Sequence, residues 1–282
     1  MKLRSLTGLL LLASSQGFAQ EPPGEQFARV GEHQVAWQCR GSGPRTVLLV
    51  AGMGLDAPTT YKNTFRNFSA DGYRICLYDR AGSGRSSALS APRPLRALVA
   101  ELDGLARKRG WRDLVLVAHS FGGLLARAYA QAHPQAVKGI VFVDAVHESW
   151  YPALKTALSS DGWRIMERIM GWERDAHSHE DFAEAVQAMC ASKTRLAMPV
   201  TVLSRGRPYT AIGQAKMRYH DVDAYNSTWD IAQFELAHAA SDARHVRMRY
   251  ADHLFDEQDP WLVIDEIRLL LERVAAGDKP AQ

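Results

Sequence analysis

The residues best suited to covalent chemistry lie in one stretch near the middle of the chain, where an apolar run ends at a serine. Residues 114–117 read Leu-Val-Leu-Val, and Ser120 follows three positions after Val117. The apolar run predicts a buried parallel strand, and residues 124–130, which favour a helix, are long enough to form one directly after it. Ser120 would therefore lie on a very tight turn between a strand and a helix.

Such a turn strains the serine backbone and lifts the hydroxyl clear of the sheet edge. Close packing of strand and helix requires small residues on either side of the serine, and Ala118 and Gly122 are small. The backbone N–H of Phe121 would lie at the N-terminus of the helix, where free donors stabilise a developing oxyanion. The stretch predicts nucleophilic catalysis by Ser120. An ordinary turn in which the serine caps a helix remains an alternative here, because Ala118 replaces the first glycine of G-x-S-x-G.

The composition bounds the class of protein that could carry this site. The chain has 282 residues, enough for one α/β domain with an insertion, and its 46% hydrophobic and 23% charged residues are typical of a globular protein. The formal net charge is only +3, and no basic block interleaved with aromatic residues is present. Nucleic acid is therefore not an expected partner.

Residues 1–19 have the pattern of a secretory signal peptide. Lys2 and Arg4 precede an apolar run at 9–13, and Gly17 and Ala19 provide small residues at the −3 and −1 positions. The apolar run is too short to span a bilayer, and no cysteine follows the cleavage site to carry a lipid. We therefore expect cleavage after Ala19 and an exported protein, periplasmic or secreted, without a stable membrane anchor.

The rest of the chain, 20–282, alternates predicted strands with predicted helices. The strands are a hairpin at 27–40 and then 46–50, 73–78, 114–117, 136–143, 200–203 and 246–250, and the helices include 59–70, 95–109, 223–241 and 260–275. This alternation predicts an α/β fold with a doubly wound, mostly parallel sheet flanked by helices. Residues 147–197 break the alternation and are rich in Trp and Met, which predicts a helical lid inserted after the sixth strand. Trp150 and Trp163 in this insertion are expected to shape a substrate pocket, although packing of the lid on the sheet is also compatible.

The three cysteines, Cys39, Cys76 and Cys190, are an odd number for an oxidising compartment. Cys39 and Cys76 both fall in predicted strands, so a cross-strand disulfide is one prediction and two buried thiols are the other.

Four motifs together resemble the α/β-hydrolase family, and the resemblance covers almost the entire mature chain. Residues 48–54 resemble the oxyanion loop after the third strand, 78–86 the D-x-x-G-x-G-x-S turn after the fourth, 117–123 the nucleophile elbow, and 250–253 the segment that carries the catalytic histidine. The segments Cys-Arg-Gly-Ser-Gly at 39–43 and Arg-Ile-Cys-Leu-Tyr-Asp-Arg-Ala-Gly at 74–82 are similar to a subgroup of small lidded hydrolases.

The resemblance implies roles for particular residues. His253 would be the base that activates Ser120, since a free hydroxyl barely ionises at neutral pH. The N–H of Met53 would join that of Phe121 in the oxyanion hole, and Gly52 and Gly54 would lie against the substrate. His119 adjoins the nucleophile but points away from it on such a turn, so a structural role is expected. His177 and His179 with Glu180 match no common metal site, and no metal is expected.

The acid that orients the histidine departs from the usual family pattern. The family commonly places it just after strand 200–203, but Ser204-Arg205-Gly206 follows there and the next carboxylate is Asp221. A family variant places the acid at the end of the preceding strand, where Asp144 stands, which preserves the order Ser–Asp–His. Asp144 is therefore the predicted acid, with Glu148 and Asp221 as alternatives. Asp144 could instead be a helix cap.

These features predict an exported serine hydrolase that cleaves a small ester-like substrate through an acyl-enzyme, without metal or organic cofactor. The same residues could cleave amides, thioesters, lactones or C–C bonds, or run cofactor-free perhydrolysis. A serine at 120 argues against epoxide hydrolases and haloalkane dehalogenases, which resemble this fold but use a carboxylate nucleophile. A ligand-binding protein with low turnover on a hydrolase scaffold is the alternative from another class. The oligomeric state is not predicted.

Overall fold

The apolar runs of the sequence form one eight-stranded sheet. The structure is a computed structural model and describes residues 24–192, 195–210 and 215–277. The strands are β1 Gln26–Val30, β2 His33–Gly41, β3 Thr46–Val50, β4 Arg74–Tyr78, β5 Leu114–His119, β6 Val137–Val143, β7 Val200–Arg205 and β8 Ala243–Met248.

The strand order across the sheet is β1-β2-β4-β3-β5-β6-β7-β8. β1 pairs antiparallel with β2 and β2 antiparallel with β4, whereas every pairing from β4 to β8 is parallel. The predicted mostly parallel sheet is therefore confirmed. Because parallel strands end at the same edge of a sheet, the loops after β3, β5, β6 and β8 meet there, which is where open α/β sheets bind ligands.

Helices cover both faces of the sheet. They are α1 Ala57–Thr60, α2 Lys62–Asn67, α3 Leu95–Arg109, α4 Gly122–Ala132, α5 Trp150–Ala157, α6 Ser160–Trp172, α7 Phe182–Ala191, α8 Tyr219–His238 and α9 Pro260–Gly277. Successive residues of a strand point to opposite faces of the sheet and pack into two separate apolar cores. Leu48 and Leu116 pack under α3, α4 and α8, and Val47 and Val115 pack under α2 and α9.

The predicted insertion at 147–197 contains α5, α6 and α7, with one turn of π-helix at Glu173–His177 between the last two. α5 packs on α8, and α7 packs on α3 and α4, so these two helices of the segment lie on the helical layer that covers the sheet. The described part of the insertion is helical, as the sequence predicts. Its action as a lid remains a prediction.

The prediction of one helix over 59–70 is wrong in extent, because the helix is interrupted at Tyr61. Tyr61 adopts φ −120° between α1 and α2, and its buried hydroxyl lies 3.0 Å from the carbonyl oxygen of Val50 and 2.9 Å from that of Val117. Arg40 then binds the carbonyl oxygens of Phe65 and Phe68, which satisfies acceptors that a longer helix would use. Tertiary hydrogen bonds therefore override the local helical preference.

The bounds predicted for the last strand and for the helix before it also differ from those in the structure. β8 ends at Met248, so the predicted strand at 246–250 extends into what is a turn. β8 is an edge strand with mostly exposed residues, and its sequence therefore carries little of the apolar signal that marks a buried strand. α8 begins at Tyr219, four residues before the predicted start at Asp223.

Cys39 and Cys76 form a disulfide. They face each other across the antiparallel pair β2 and β4, with their Cα atoms 4.1 Å apart. The prediction of a cross-strand bridge is thereby confirmed over that of two buried thiols, and Cys190 is a free, exposed cysteine. The predicted signal peptide lies outside the described residues. Among residues that the structure describes, no helix is both long and apolar enough to cross a membrane.

Candidate active site

Ser120 lies on the predicted tight turn, with only Phe121 between it and the first residue of α4. Its φ is +51°, in the left-handed region that non-glycine residues rarely adopt. A methyl group on Gly122 would lie 2.6 Å from the carbonyl oxygen of Ala51, so the helix can approach β3 this closely only because the residue is glycine. The turn therefore raises Ser120 at the carboxyl edge of the sheet.

His253 and Asp144 reach the same edge from two other loops. The Ser120 Oγ lies 3.1 Å from Nε2 of His253, and Nδ1 of His253 lies 2.6 Å from Oδ2 of Asp144. With the proton on Nδ1, the imidazole donates to Asp144 and accepts from the Ser120 hydroxyl. Asp144 follows the last residue of β6 and also has a positive φ, +41°. A serine, an imidazole and a buried carboxylate in this order can carry out nucleophilic catalysis.

The carboxylate of Asp144 is fully buried and accepts hydrogen bonds from two residues besides His253. The indole N–H of Trp229 donates to Oδ1 at 2.9 Å, and the backbone N–H of Arg205 donates to the same oxygen at 3.1 Å. The Arg205 guanidinium donates to Oδ2 at 3.0 Å. Burial alone would raise the pKa of Asp144, but the Arg205 charge and the hydrogen bonds from His253 and Trp229 hold it well below its usual range. Asp144 is therefore ionised.

His119 supports the loop that carries His253. Its Nε2 lies 2.9 Å from the carbonyl oxygen of His253, and the two rings are 4.6 Å apart. Burial and the positive charge that His253 can carry lower the pKa of His119 to about 3, so the ring is neutral and donates through Nε2–H. The structural role predicted for His119 agrees with these contacts.

The loop after β3, which we call the 51–54 loop, consists of Ala51, Gly52, Met53 and Gly54. A methyl group on Gly52 would lie 3.2 Å from Cβ of Ser120, which brings the loop backbone directly against the predicted nucleophile. Phe121 is the N-cap residue of α4, and the first N–H groups of a helix have no partner within it. The two predicted oxyanion donors thus come from segments that pack on Ser120. Their catalytic role remains a prediction.

The aromatic residues predicted to bind substrate lie deeper in the insertion. Trp150 is buried and packs edge-on against Trp229, whose ring lies 5.4 Å from His253. Trp163 packs against Tyr151, with ring centroids 5.1 Å apart. Trp150 is therefore one layer behind the His253–Asp144 pair, and Trp163 belongs to the insertion's own cluster. Contact of either residue with substrate stays a prediction.

The two alternative acids, Glu148 and Asp221, bind residues other than His253. Glu148 pairs with the buried Arg127, and Asp221 accepts hydrogen bonds from the backbone N–H and hydroxyl of Ser159, both at 2.8 Å, at the start of α6. Within the described ranges, no group of three or more His, Cys, Asp or Glu side chains could hold a metal ion.

The contacts of four residues around the site were not predicted from the sequence. Arg205 and Trp229 bind Asp144, and Arg80 binds Glu180. A signal for Arg205 was present, because this arginine, the last residue of β7, stands close to the position where the family usually carries its acid. It donates a hydrogen bond to Asp144 instead. Glu180 is separated from Arg80 by 100 residues, so only the folded chain reveals their ion pair.

Comparisons with known proteins agree with this architecture. The family model described as alpha/beta hydrolase fold matches residues 45–171. An esterase from Thermogutta terrifontis superimposes with a TM-score of 0.62 at 20% identity, covering 89% of this chain and 99% of that one. Mouse alpha/beta hydrolase domain-containing protein 10 superimposes with a TM-score of 0.65 at 15% identity, covering 89% and 99%. The chain therefore has the α/β-hydrolase fold.

Relatives in sequence match shorter stretches. The chain is 31% identical over 127 residues to proline iminopeptidase of Neisseria gonorrhoeae, which is 43% of this chain and 40% of that protein. It is 27% identical over 118 residues to a putative carbamate hydrolase of Azorhizobium caulinodans, 42% and 43% of the two chains. The chain thus spans less than half the length of these curated relatives, whose names all describe hydrolysis.

Proposed function

We propose that this protein is an exported serine hydrolase that cleaves carboxylic esters. The observation that carries the proposal is the chain of hydrogen bonds from Ser120 through His253 to the ionised Asp144, built on a serine with a left-handed backbone. Such a chain gives a serine hydroxyl a base and gives the base an anion that holds its tautomer. The disulfide between Cys39 and Cys76 supports export, because such bonds persist in oxidising compartments.

In the proposed reaction, Ser120 Oγ attacks the ester carbonyl carbon while Nε2 of His253 takes the hydroxyl proton. The resulting oxyanion lies between the N–H groups of Met53 and Phe121. Collapse of this intermediate breaks the C–O bond, and His253 returns the proton to the leaving alcohol. Water then attacks the acyl-enzyme by the same route and releases the acid.

Amide hydrolysis is the second candidate, because the matched relatives include a proline iminopeptidase and a putative carbamate hydrolase. The catalytic residues would be the same for either bond. An amide differs in its poorer leaving group, which makes protonation by His253 more demanding. Rates on matched ester and amide substrates therefore distinguish the two.

The test is covalent labelling of the protein beginning at residue 20 with a fluorophosphonate, measured by intact mass, with Ser120→Ala alongside. We expect one adduct on the wild-type protein and none on the variant, and both should have the same circular dichroism spectrum. Acyl esters of p-nitrophenol and the p-nitroanilide of proline then measure the bond preference. A folded wild-type protein that acquires no adduct would favour the ligand-binding alternative.

A further inference from the structure

A buried ion pair between Arg80 and Glu180 joins the insertion to the 51–54 loop. Arg80 follows β4 by two residues, and Glu180 lies in the insertion just before α7. Each side chain is 1% exposed, and Arg80 Nε donates to Oε1 of Glu180. Buried charges occur almost only where a partner compensates them, so each residue requires the other.

Nearly every remaining polar atom of this pair binds the backbone of the 51–54 loop. Arg80 donates from Nη1 to the carbonyl oxygen of Ala51 at 2.9 Å and from Nη2 to that of Gly52 at 2.6 Å. Oε2 of Glu180 accepts from the backbone N–H of Gly54 at 3.1 Å. The pair therefore holds the loop on both sides of Met53, and the guanidinium also lies 5.9 Å from the centre of the Phe121 ring.

The insertion segment that carries Glu180 is itself held in place. The backbone N–H of Arg93 donates to the carbonyl oxygen of His179 at 2.7 Å, and the N–H of Asp181 donates to the carbonyl oxygen of Arg93 at 3.3 Å. A methyl group on Gly54 would lie 2.6 Å from a carboxylate oxygen of Glu173, so the insertion touches the loop at a second point. Glu180 thus reaches the loop from a fixed support.

We propose that the Arg80–Glu180 pair is the means by which the insertion sets the position of the Met53 N–H, and that both are positioning residues for the oxyanion. This rests on the proposed serine-hydrolase function. A preorganised donor stabilises an oxyanion only while its geometry is held, and the carbonyl and N–H groups flanking Met53 are bound by this one pair. The insertion is therefore required for turnover, beyond covering the site.

The variant Glu180→Gln tests the proposal with minimal change in shape. Gly54 N–H and Arg80 Nε–H both need an acceptor, and glutamine has only one carbonyl oxygen to offer them. We expect kcat to fall about 10–100-fold, part of the loss seen when an oxyanion donor is removed entirely. KM should change less than threefold, and the pH profile should not move, because His253 and Asp144 keep their partners.

A boronic acid inhibitor adds a readout that a merely structural role would not move. Its tetrahedral adduct with Ser120 places an oxygen in the oxyanion hole, so its affinity should fall by the same factor as kcat/KM. Glu266→Gln is the matched control. Glu266 is a buried carboxylate, 2% exposed, and pairs with Arg244 of β8 through both oxygens at 2.9 Å, and neither contact touches the 51–54 loop or the segment that carries Glu180.

Glu266→Gln should lower Tm as Glu180→Gln does, yet keep kcat within about threefold of wild type. An unchanged kcat in Glu180→Gln, or equal losses of kcat in the two variants, would overturn the proposal. If Glu180→Gln does not fold, Glu180→Asp keeps the charge but withdraws the carboxylate from Gly54, and the same split between kcat and KM is required of it. Failure of the proposed function is separate, since wild-type protein would then acquire no fluorophosphonate adduct.

Discussion

At the scale of single residues, the site depends on a buried carboxylate that stays ionised. Asp144 lies beside the Arg205 guanidinium, which also donates to Asn226 at 3.0 Å and stacks on Trp229, 4.9 Å from the ring centre. These contacts fix the orientation of Asp144. The positive charge of Arg205 also stabilises the ionised carboxylate, which burial alone would disfavour. Without this support, burial would raise the pKa of Asp144, and the acid would be a weaker partner for an imidazolium.

Replacing Asp144 with Asn should reduce kcat by on the order of 10⁴-fold, because the amide can hold His253 in the wrong tautomer. Steady-state kinetics on a p-nitrophenyl ester measures this loss. Asp221→Asn is the control, since Asp221 binds Ser159 away from His253 and its replacement should leave kcat unchanged. Comparable losses in both variants would remove Asp144 from the proposed mechanism.

His119 should make stability depend on pH. Its pKa in the folded protein is lowered to about 3, whereas an unfolded histidine titrates near 6.5. The unfolded state therefore binds a proton first, and the stability that His119 contributes is fully present above pH ~6.5. It is lost as the pH falls from ~6.5 towards ~3, by about 1.4 kcal/mol per pH unit.

Urea unfolding at several pH values measures this dependence. The variant His119→Gln keeps an N–H donor for the carbonyl oxygen of His253 but cannot titrate. Its free energy of unfolding should fall less steeply than that of the wild type across this range. If the free energy of unfolding falls equally steeply with pH in both proteins, His119 does not contribute to the pH dependence of stability.

At the scale of elements, the junction of β5 and α4 sets the position of Ser120. The positive φ of Ser120 costs about 1–3 kcal/mol and persists because the strand on one side and the helix on the other hold it. Gly122 is the point of closest approach, since a methyl group there would meet the carbonyl oxygens of Ala51 and Val50 at 2.6 and 2.7 Å.

Gly122→Ala should therefore destabilise the protein by about 1–3 kcal/mol, because two backbone oxygens must move. It should also lower kcat, since Ala51 belongs to the 51–54 loop. Gly171→Ala is the matched control: a methyl group there has no heavy atom within 4 Å, and alanine in a helix is favoured over glycine by about 0.5–1 kcal/mol. Chemical denaturation measures both variants, and a Gly122→Ala protein as stable as the wild type would contradict this account.

At the scale of the whole molecule, the disulfide ties the antiparallel edge of the sheet to its parallel part. Cys39 in β2 and Cys76 in β4 are 37 residues apart in sequence, and the loop between them contains β3, α1 and α2. A crosslink across this loop restricts the unfolded chain more than the folded one.

The double variant Cys39→Ser/Cys76→Ser should lose about 2–4 kcal/mol of unfolding free energy. Cys190→Ser should change it by less than about 0.5 kcal/mol, since Cys190 is exposed and unbridged. Alkylation under denaturing, non-reducing conditions, followed by intact mass, should show one modified thiol, and three after reduction. Three modified thiols before reduction would show that the disulfide is absent from the isolated protein.

Much of the fold could be predicted because its elements carry strong local signals. α3 matches the predicted 95–109 residue for residue, since its apolar residues recur at helical spacing and Gly110 ends it with a φ of +63°. The buried strands β3 and β5 are continuous apolar runs. The predicted bounds of β8 were wrong by a few residues, because an exposed edge strand lacks such a run. The helix predicted at 59–70 is interrupted at Tyr61, whose hydrogen-bond partners lie in other elements.

Periodicity and small residues act locally along the chain, so they were enough to predict the parallel sheet and the tight turn at Ser120. The candidacy of His253 and Asp144 came from the resemblance to the α/β-hydrolase family. The choice among Asp144, Glu148 and Asp221 required the folded chain, in which Oδ2 of Asp144 lies 2.6 Å from Nδ1 of His253. The tertiary structure alone also brought Arg205 to Asp144 and Glu180 to Arg80. The physical reason is that a buried charge is stabilised by partners distant in sequence, and their arrangement is set when the loops meet at the sheet edge.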